Sequence, residues 1–153
     1  MTESLNLKTL LLPLLPALLA GSVFAQAAPQ PRLETTTLRA GMHLIQAELA
    51  RTDQQQEIGL MMRAEMAAHE GMLFVFRDKA PRCFWMRNTL LPLTIAFIDD
   101  DGRIVNLADM KPRSEDSHCA AKPVRFALEM NQGWFSKRNI AAGYRLEGAP
   151  FSR

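Results

Sequence analysis

The sequence predicts an α+β domain that is rich in β structure, with a mostly antiparallel sheet or a small, partly closed barrel and one or two short helices. Short segments of apolar or alternating residues recur along the chain, and turn residues separate them. Only one segment carries a clear signal for the start of a helix. Because short turns join consecutive strands into hairpins, most strand pairs are expected to be antiparallel.

The first predicted elements are a hairpin and a helix. Residues 33–38 and 42–49 alternate apolar and polar side chains on either side of an Ala-Gly turn, as paired strands do. Thr52 and Gln55 have the spacing of a capping box, which predicts a helix over residues 53–61. The inner face of this helix is expected to include Ile58, Met61 and Met62.

Three short apolar segments follow, and each is predicted to be a buried strand. Residues 72–76 (MLFVF) and 83–87 (CFWMR) are too short for a buried helix and rich in aromatic residues. Residues 93–98 (LTIAFI) give the clearest strand signal in the chain.

The remaining elements complete a β-rich domain. Asp101-Gly102 predicts a tight turn into a strand within residues 103–110. Residues 124–130 alternate, which places Glu129 on the face opposite three apolar neighbours and allows it to face water. Residues 133–139 are predicted to form a short helix, and residues 144–147 a last strand.

The first residues of the chain predict export from the cytoplasm. A positive charge at Lys8, an apolar stretch and small residues up to Ala25 are typical of a signal peptide, which we assign to residues 1–25. An uncleaved membrane anchor is the alternative, but the apolar run is short for a spanning helix and contains Pro13 and Pro16. Residues 26–32 are expected to be a flexible tether, and residues 33–153 a single globular domain.

The mature chain is expected to be periplasmic or secreted. No later segment is long and apolar enough to predict a transmembrane span. Cys83 and Cys119 both lie in the exported part, where a disulfide is the expected state of such a pair. In the chain-entropy model, closing this loop stabilises the fold by about 4 kcal/mol. A metal or redox role for the two cysteines is the alternative.

Composition and charge exclude two classes of protein. Hydrophobic residues make up 48% of the chain and charged residues 22%, which excludes a wholly disordered protein. The formal net charge is only +2, so we expect no nucleic-acid partner.

Several of these segments resemble one uncharacterised family. The strings GLMMR (59–63), GMLFVF (71–76) and FWMRNTLLPLTIAFID (84–99), followed by ALE (127–129) and GY (143–144), are similar to the domain of unknown function 192. The resemblance extends over residues 42–146 and implies an α+β, β-rich, often exported domain with no established activity. The family commonly has Asp where this chain has Thr94, so the resemblance supports no mechanism that needs a carboxylate there.

Polar residues within apolar strings are the candidate binding residues. We predict a pocket for a small anionic ligand or a peptide, built from Arg63, Trp85, Asn88, Thr89 and Glu129. Arg63 would bind the anion through its planar guanidinium, and Asn88 would orient it. A structural ion pair between Arg63 and a buried Glu129 is the alternative, as is a Glu129 that faces water.

The sequence is also compatible with two other functions. An envelope-associated hydrolase would use Glu129 or Asp99 together with Arg63. A copper-binding protein would use the residues that we expect to be exposed among the soft ligands, which are Met62, Met66, Met110 and His118. Most other methionines lie in apolar strings and are expected to fill the core. We predict no cofactor and no metal site.

The aromatic residues suggest one more feature. Trp85 and Trp134, each next to a phenylalanine, are expected to belong either to one apolar cleft or to the core.

Overall fold

The computed structural model describes residues 28–151. The predicted signal peptide lies outside the described residues. The strands are β1 (Thr35–Ala40), β2 (His43–Ala50), β3 (Glu70–Ala80), β4 (Cys83–Phe84), β5 (Leu93–Ile98), β6 (Ile104–Met110), β7 (His118–Cys119) and β8 (Val124–Asn131). The helices are α1 (Asp53–Ile58) and a short 3-10 turn at Ser136–Arg138.

A six-stranded sheet forms the centre of the described part of the chain, in the order β1-β2-β3-β8-β5-β6. The pairs are antiparallel except β2 with β3, because α1 and the loop after it return the chain to the starting end of the sheet. Strands β4 and β7 form a separate antiparallel pair. The prediction of a β-rich, mostly antiparallel α+β fold is therefore confirmed.

The sheet does not close into a barrel within residues 28–151, but a C-terminal segment joins its two edges. This segment, residues 143–147, exchanges two backbone hydrogen bonds of 2.9 Å between Glu147 and Arg39 of β1. On its other side, Tyr144 O accepts from Ile104 N of β6 at 2.8 Å. The predicted last strand thus forms isolated bridges to both edges instead of a regular strand.

Apolar residues cover both faces of the sheet. The first face packs under the C-terminal part of the chain, with a core that includes Leu38, Leu73, Ala96, Leu128, Phe135 and Leu146. The second face packs under the loops that follow α1 and β3, with a core that includes Leu60, Met72, Phe74, Met86, Ile95 and Phe97. Strand β5 is therefore buried on both sides, which explains why all its residues except Thr94 are apolar.

Because both faces of the sheet are covered, one prediction from the alternating pattern of β8 is wrong. Glu129 does not face water, because the second face of β8 is buried beneath the loops and not exposed. Its neighbour Ala127 is buried on the same face for the same reason.

The hairpin and the helix start are as predicted, whereas the helix ends early. Gln55 N donates to Thr52 Oγ1 at 3.2 Å and Thr52 N donates to Gln55 Oε1 at 3.0 Å, so the capping box is complete. The helix ends at Ile58, three residues before the predicted end, because Gly59 takes a positive φ of 50°.

No helix of residues 28–151 has the length and apolar character needed to cross a membrane.

Candidate functional site

A cleft of about 300 Å³ opens on the second face of the sheet, between the end of α1 and strand β4. Strand β3 provides part of its floor through Phe74 and Phe76. The lining also includes Gly59, Met61, Arg82, Cys83, Phe84, Trp85, Thr89 and Glu129. We call this the Glu129 cleft.

Glu129 is the most unusual group in the cleft. On β8 it lies directly opposite Met72 of β3 and Ile95 of β5, and only 4% of the residue is exposed. Its carboxyl has no hydrogen-bond or ion-pair partner among the described residues. Burial raises the pKa of Glu129 to about 8, so the carboxyl is mostly protonated at neutral pH and its O–H can donate.

Aromatic side chains line the cleft. The ring of Phe84 packs edge-on against Phe74, with 4.8 Å between their centroids, and against Phe76 at 6.3 Å. Trp85 is 46% exposed, and the guanidinium of Arg87 lies 4.1 Å from its ring centroid. The cleft therefore has an apolar lining that an organic group could contact.

Arg82 adds a second hydrogen-bond donor to the lining. Its guanidinium lies 4.0 Å from the centroid of Phe76, and one Nη donates to Asp78 at 2.9 Å. The Nε–H is buried and has no acceptor among the described residues. No sequence pattern indicates this role, because Arg82 follows a proline in a loop without a recognisable motif.

The predicted disulfide is present beside the cleft. Cys83 and Cys119 are directly opposite each other in the β4–β7 pair and are bonded. Because Cys83, Phe84 and Trp85 all line the cleft, the disulfide tethers one of its walls. A disulfide indicates an oxidising compartment.

Arg63 lies outside the Glu129 cleft and does not contact Glu129. Its Nη1 and Nη2 donate to the two carboxylate oxygens of Glu48 at 3.0 and 2.9 Å, and both side chains are buried. Arg32 also donates to Glu48, at 2.9 Å. The predicted alternative of an Arg63–Glu129 ion pair is therefore wrong: the buried pair exists, but its acid is Glu48.

The environment of Glu48 shows why this pair is structural. Burial alone would raise the pKa of Glu48, but hydrogen bonds from Arg63, from the Leu33 N–H and from Arg32, with the nearby Arg63 charge, outweigh it and lower the pKa. Both Nη groups of the guanidinium bond to Glu48, and the buried Nε–H is left without an acceptor among the described residues.

The predicted binding residues thus separate into three places, of which the Arg63–Glu48 pair is one. Trp85, Thr89 and Glu129 meet in the Glu129 cleft. Asn88 lies in a neighbouring pocket with Met62 and Arg113. Binding by any of them stays a prediction.

The residues of the two alternative functions do not assemble into one site. Asp99 bonds to Lys79 and Lys122 and does not line the cleft, and the lysine hydrogen bonds hold its pKa well below the usual range. Met110 is fully buried, contrary to expectation. Among the described residues, no group of three or more His, Cys, Asp and Glu side chains is placed to hold a metal ion.

The two tryptophans lie on opposite faces of the sheet. Trp134 and Phe135 belong to the core of the first face, where their rings pack edge-on at 5.2 Å. Phe84 and Trp85 line the cleft on the second face. The idea of one shared aromatic cleft is therefore wrong.

Gly59 also lines the cleft, although it is not among the predicted binding residues. A Cβ at this position would lie 3.2 Å from the Phe74 ring, and φ is 50°. The glycine in the string GLMMR was the available signal, since both the turn and the close ring contact favour glycine here.

The comparisons agree with this architecture. The sequence profile of the family DUF192, described as "Uncharacterized ACR", matches residues 35–148. The chain belongs to this family. No curated protein matches it.

Two solved structures resemble this DUF192 domain over most of its length. One, from Sinorhizobium meliloti 1021, is described as a "putative transcription regulator"; it is 37% identical with a TM-score of 0.75, over 78% of this chain and 98% of that chain. The other, a protein of unknown function from Novosphingobium aromaticivorans DSM 12444, is 38% identical with a TM-score of 0.69, over 74% of this chain and 83% of that chain. The DUF192 membership establishes the fold and leaves the biochemical role unassigned.

Proposed function

We propose that this DUF192 domain is a non-enzymatic binding or accessory protein that holds an apolar group of a small ligand or a peptide in the Glu129 cleft. The observation behind this proposal is the buried carboxyl of Glu129, which lies in an aromatic-lined cleft and has no partner among the described residues.

An unpartnered buried carboxyl is unusual, because buried polar groups are normally hydrogen-bonded. Leaving it without a partner destabilises the fold, and a ligand that supplies an acceptor would recover part of that free energy. The protonated carboxyl would donate to a carbonyl or carboxylate of the ligand, and the Arg82 Nε–H offers a second donor. Phe74, Phe76 and Phe84 would contact its apolar part.

The same carboxyl makes binding depend on pH. While Glu129 is protonated, it does not repel an acceptor or an anion. As the pH rises through about 8, the carboxyl ionises and loses its donor. The affinity for an acceptor-bearing ligand should therefore fall in that range.

The test uses benzamide and 3-phenylpropanamide as probes, since each joins a phenyl ring to an amide carbonyl. Each is titrated into the oxidised protein and followed by chemical-shift changes in two-dimensional NMR. We expect changes at the residues that line the Glu129 cleft, including the Trp85 indole N–H. Glu129→Leu should weaken binding, whereas Glu65→Gln, an exposed acid outside the cleft, should not.

The proposal fails if neither probe shifts the cleft resonances at its solubility limit. Equal affinities of wild type and Glu129→Leu would show that an apolar surface, and not the carboxyl, accounts for binding.

A hydrolase with Glu129 as general acid is the second candidate, because a carboxyl with a pKa near neutrality suits that role. Asp99 and Arg63, the predicted helpers, lie outside the cleft. Turnover of nitrophenyl esters or glycosides that disappears in Glu129→Gln, while benzamide still binds, would support this candidate over the first.

We also propose that the chain is exported, with residues 1–25 as a signal peptide, residues 26–32 as a tether and residues 33–153 as one domain in the periplasm or outside the cell. The Cys83–Cys119 disulfide supports this proposal. The last residues of the proposed tether contact the domain, since Gln30 donates to Gly59 O at 2.8 Å and Arg32 donates to Glu48.

Mass spectrometry of the native protein tests this proposal. We expect an N-terminus just after Ala25 or Ala27 and no thiol that can be alkylated before reduction. An intact Met1 with two free thiols would contradict it.

A further inference from the structure

A second pocket lies across a wall from the Glu129 cleft. Its volume is about 360 Å³, and its lining includes Met62, Asn88 and Arg113. Met61 and Thr89 line the first cleft, whereas the adjacent Met62 and Asn88 line the second pocket. The wall therefore consists of two chain segments, residues 61–62 and 88–89, joined by a hydrogen bond from Met62 N to Asn88 O at 2.9 Å.

The wall and the second pocket share an uncommon backbone conformation. Met62, Asn88 and Arg113 have φ of 60°, 57° and 58°, a region that non-glycine residues seldom occupy. Asparagine tolerates this conformation because its short side chain can form local hydrogen bonds, whereas methionine and arginine lack this compensation. Arg113 is held there by a hydrogen bond from its N–H to Thr89 O at 3.0 Å. Such conformations are concentrated at ligand sites, where surrounding contacts maintain them.

The side chains of the second pocket can bind an anion. The guanidinium of Arg113 and the carboxamide of Asn88 have no hydrogen-bond or ion-pair partner in the described part of the chain. Glu115 is the acid of the pocket, and its charge is balanced by a 3.0 Å ion pair with Arg87. An incoming carboxylate would therefore meet two unused donors and no unbalanced negative charge.

We infer that the two pockets form one bipartite site for a peptide segment in which an aromatic side chain is followed, within a few residues, by an acidic one. The aromatic side chain would enter the Glu129 cleft, and the carboxylate would bind Arg113 and Asn88 on the far side of the wall. This inference rests on the proposed function, and it names the class of ligand and the residues that select it.

The experiment compares matched peptides that differ only in charge. The probes are Ac-Phe-Asp-NH2, Ac-Phe-Gly-Asp-NH2 and Ac-Phe-Gly-Gly-Asp-NH2, each paired with its Asn counterpart and titrated into the oxidised protein by calorimetry or NMR. We expect at least one Asp peptide to bind about tenfold more tightly than its Asn partner, as a charge-assisted hydrogen bond provides. This ratio should decrease with added salt.

Two variants test the assigned residues. Arg113→Asn and Asn88→Gly place at these positions residues that tolerate the left-handed backbone, so both variants are expected to fold. Each should reduce the Asp-to-Asn affinity ratio towards one. Arg77→Gln, which removes an exposed arginine of β3 outside both pockets, should leave the ratio unchanged.

The outcomes separate this inference from the proposed function. Equal binding of Asp and Asn peptides, with benzamide still bound in the Glu129 cleft, would overturn the bipartite site alone. An Asp preference that does not require the Phe side chain, tested with Ac-Ala-Asp-NH2 and its spaced versions, would contradict the role of the cleft. No binding of any peptide or of benzamide would overturn both.

Discussion

Folding moves the Glu129 carboxyl from water into an apolar cleft, and this makes stability depend on pH. Its ordinary pKa of 4.5 rises to about 8 in the folded protein. Below pH 4.5 both states are protonated, so Glu129 imposes no ionisation cost on folding. Between pH 4.5 and 8 the unfolded state releases its proton first, and the free energy of unfolding falls by up to a few kcal/mol.

Glu129→Gln should remove this dependence while keeping the shape of the side chain. The variant should gain a few kcal/mol over wild type as the pH rises from 4.5 to 8, with a constant difference beyond that range. Urea unfolding at several pH values measures the difference. Glu57→Gln, an exposed acid on the same cleft, serves as the control. A difference that does not change with pH would show that Glu129 titrates normally.

The buried Arg63–Glu48 pair is expected to contribute to the stability of the fold. Arg63→Ala leaves a buried carboxylate with fewer partners, and the expected loss in free energy of unfolding is about 3 to 5 kcal/mol. Arg77→Ala, at an exposed site, should change stability little. If the variant lost ligand binding in the Glu129 cleft but kept wild-type stability, the structural assignment of Arg63 would be wrong.

Single residues also show where prediction from sequence stops. Arg63 and Glu129 stand out in the sequence because each is a charged residue among apolar ones. Their partners depend on strand register: Glu48 and Glu129 lie on either side of Met72 in one row across the sheet. Only one of these acids meets Arg63, and no local pattern indicates which.

Among the secondary-structure elements, α1 has the clearest local source of stability, which is its capping box. Thr52→Ala removes the Oγ1 acceptor of the Gln55 N–H and should lower the free energy of unfolding by about 1 kcal/mol. Gln54→Ala changes an exposed residue of the same helix without removing a cap contact, and it should be nearly neutral. Chemical denaturation of both variants provides the comparison. Equal losses would argue against a capping role.

Elements with a repeated pattern were predictable, whereas very short ones were not. The bounds predicted for strand β5 are those of the structure, because five of its six residues are apolar, as a strand buried on both faces requires. Within residues 83–87 only Cys83 and Phe84 form a strand, and their partner strand β7 was not predicted. Two residues carry no periodicity, so this pair forms only because tertiary structure brings the segments together.

For the whole molecule, the disulfide is the main covalent constraint. The double variant Cys83→Ser, Cys119→Ser frees a loop with a sequence separation of 36 residues. The chain-entropy model gives an expected loss of about 4 kcal/mol in the free energy of unfolding. The variant should also bind benzamide more weakly, because the wall formed by Phe84 and Trp85 loses its tether. Reduced wild type should behave like the variant, and unchanged stability in both would contradict this role.

The fold class followed from the succession of short strands and turns, and the family followed from the order of its motifs. The pockets did not, since each combines segments that are distant in the chain. Residues 59–61, 81–85 and Glu129 meet in the cleft because β8 lies between β3 and β5 in the sheet. Surface concavity arises from that assembly and leaves no signature in any one segment.

The C-terminal segment that joins β1 to β6 has a consequence for how molecules meet one another. An open edge strand offers free backbone groups to a neighbouring chain and can template fibres. Here residues 143–147 occupy such groups on Arg39 and Ile104 from within the same molecule. The segment thus occupies one position of each edge strand with groups of the same molecule, which disfavours pairing with the strand of a second copy at those positions.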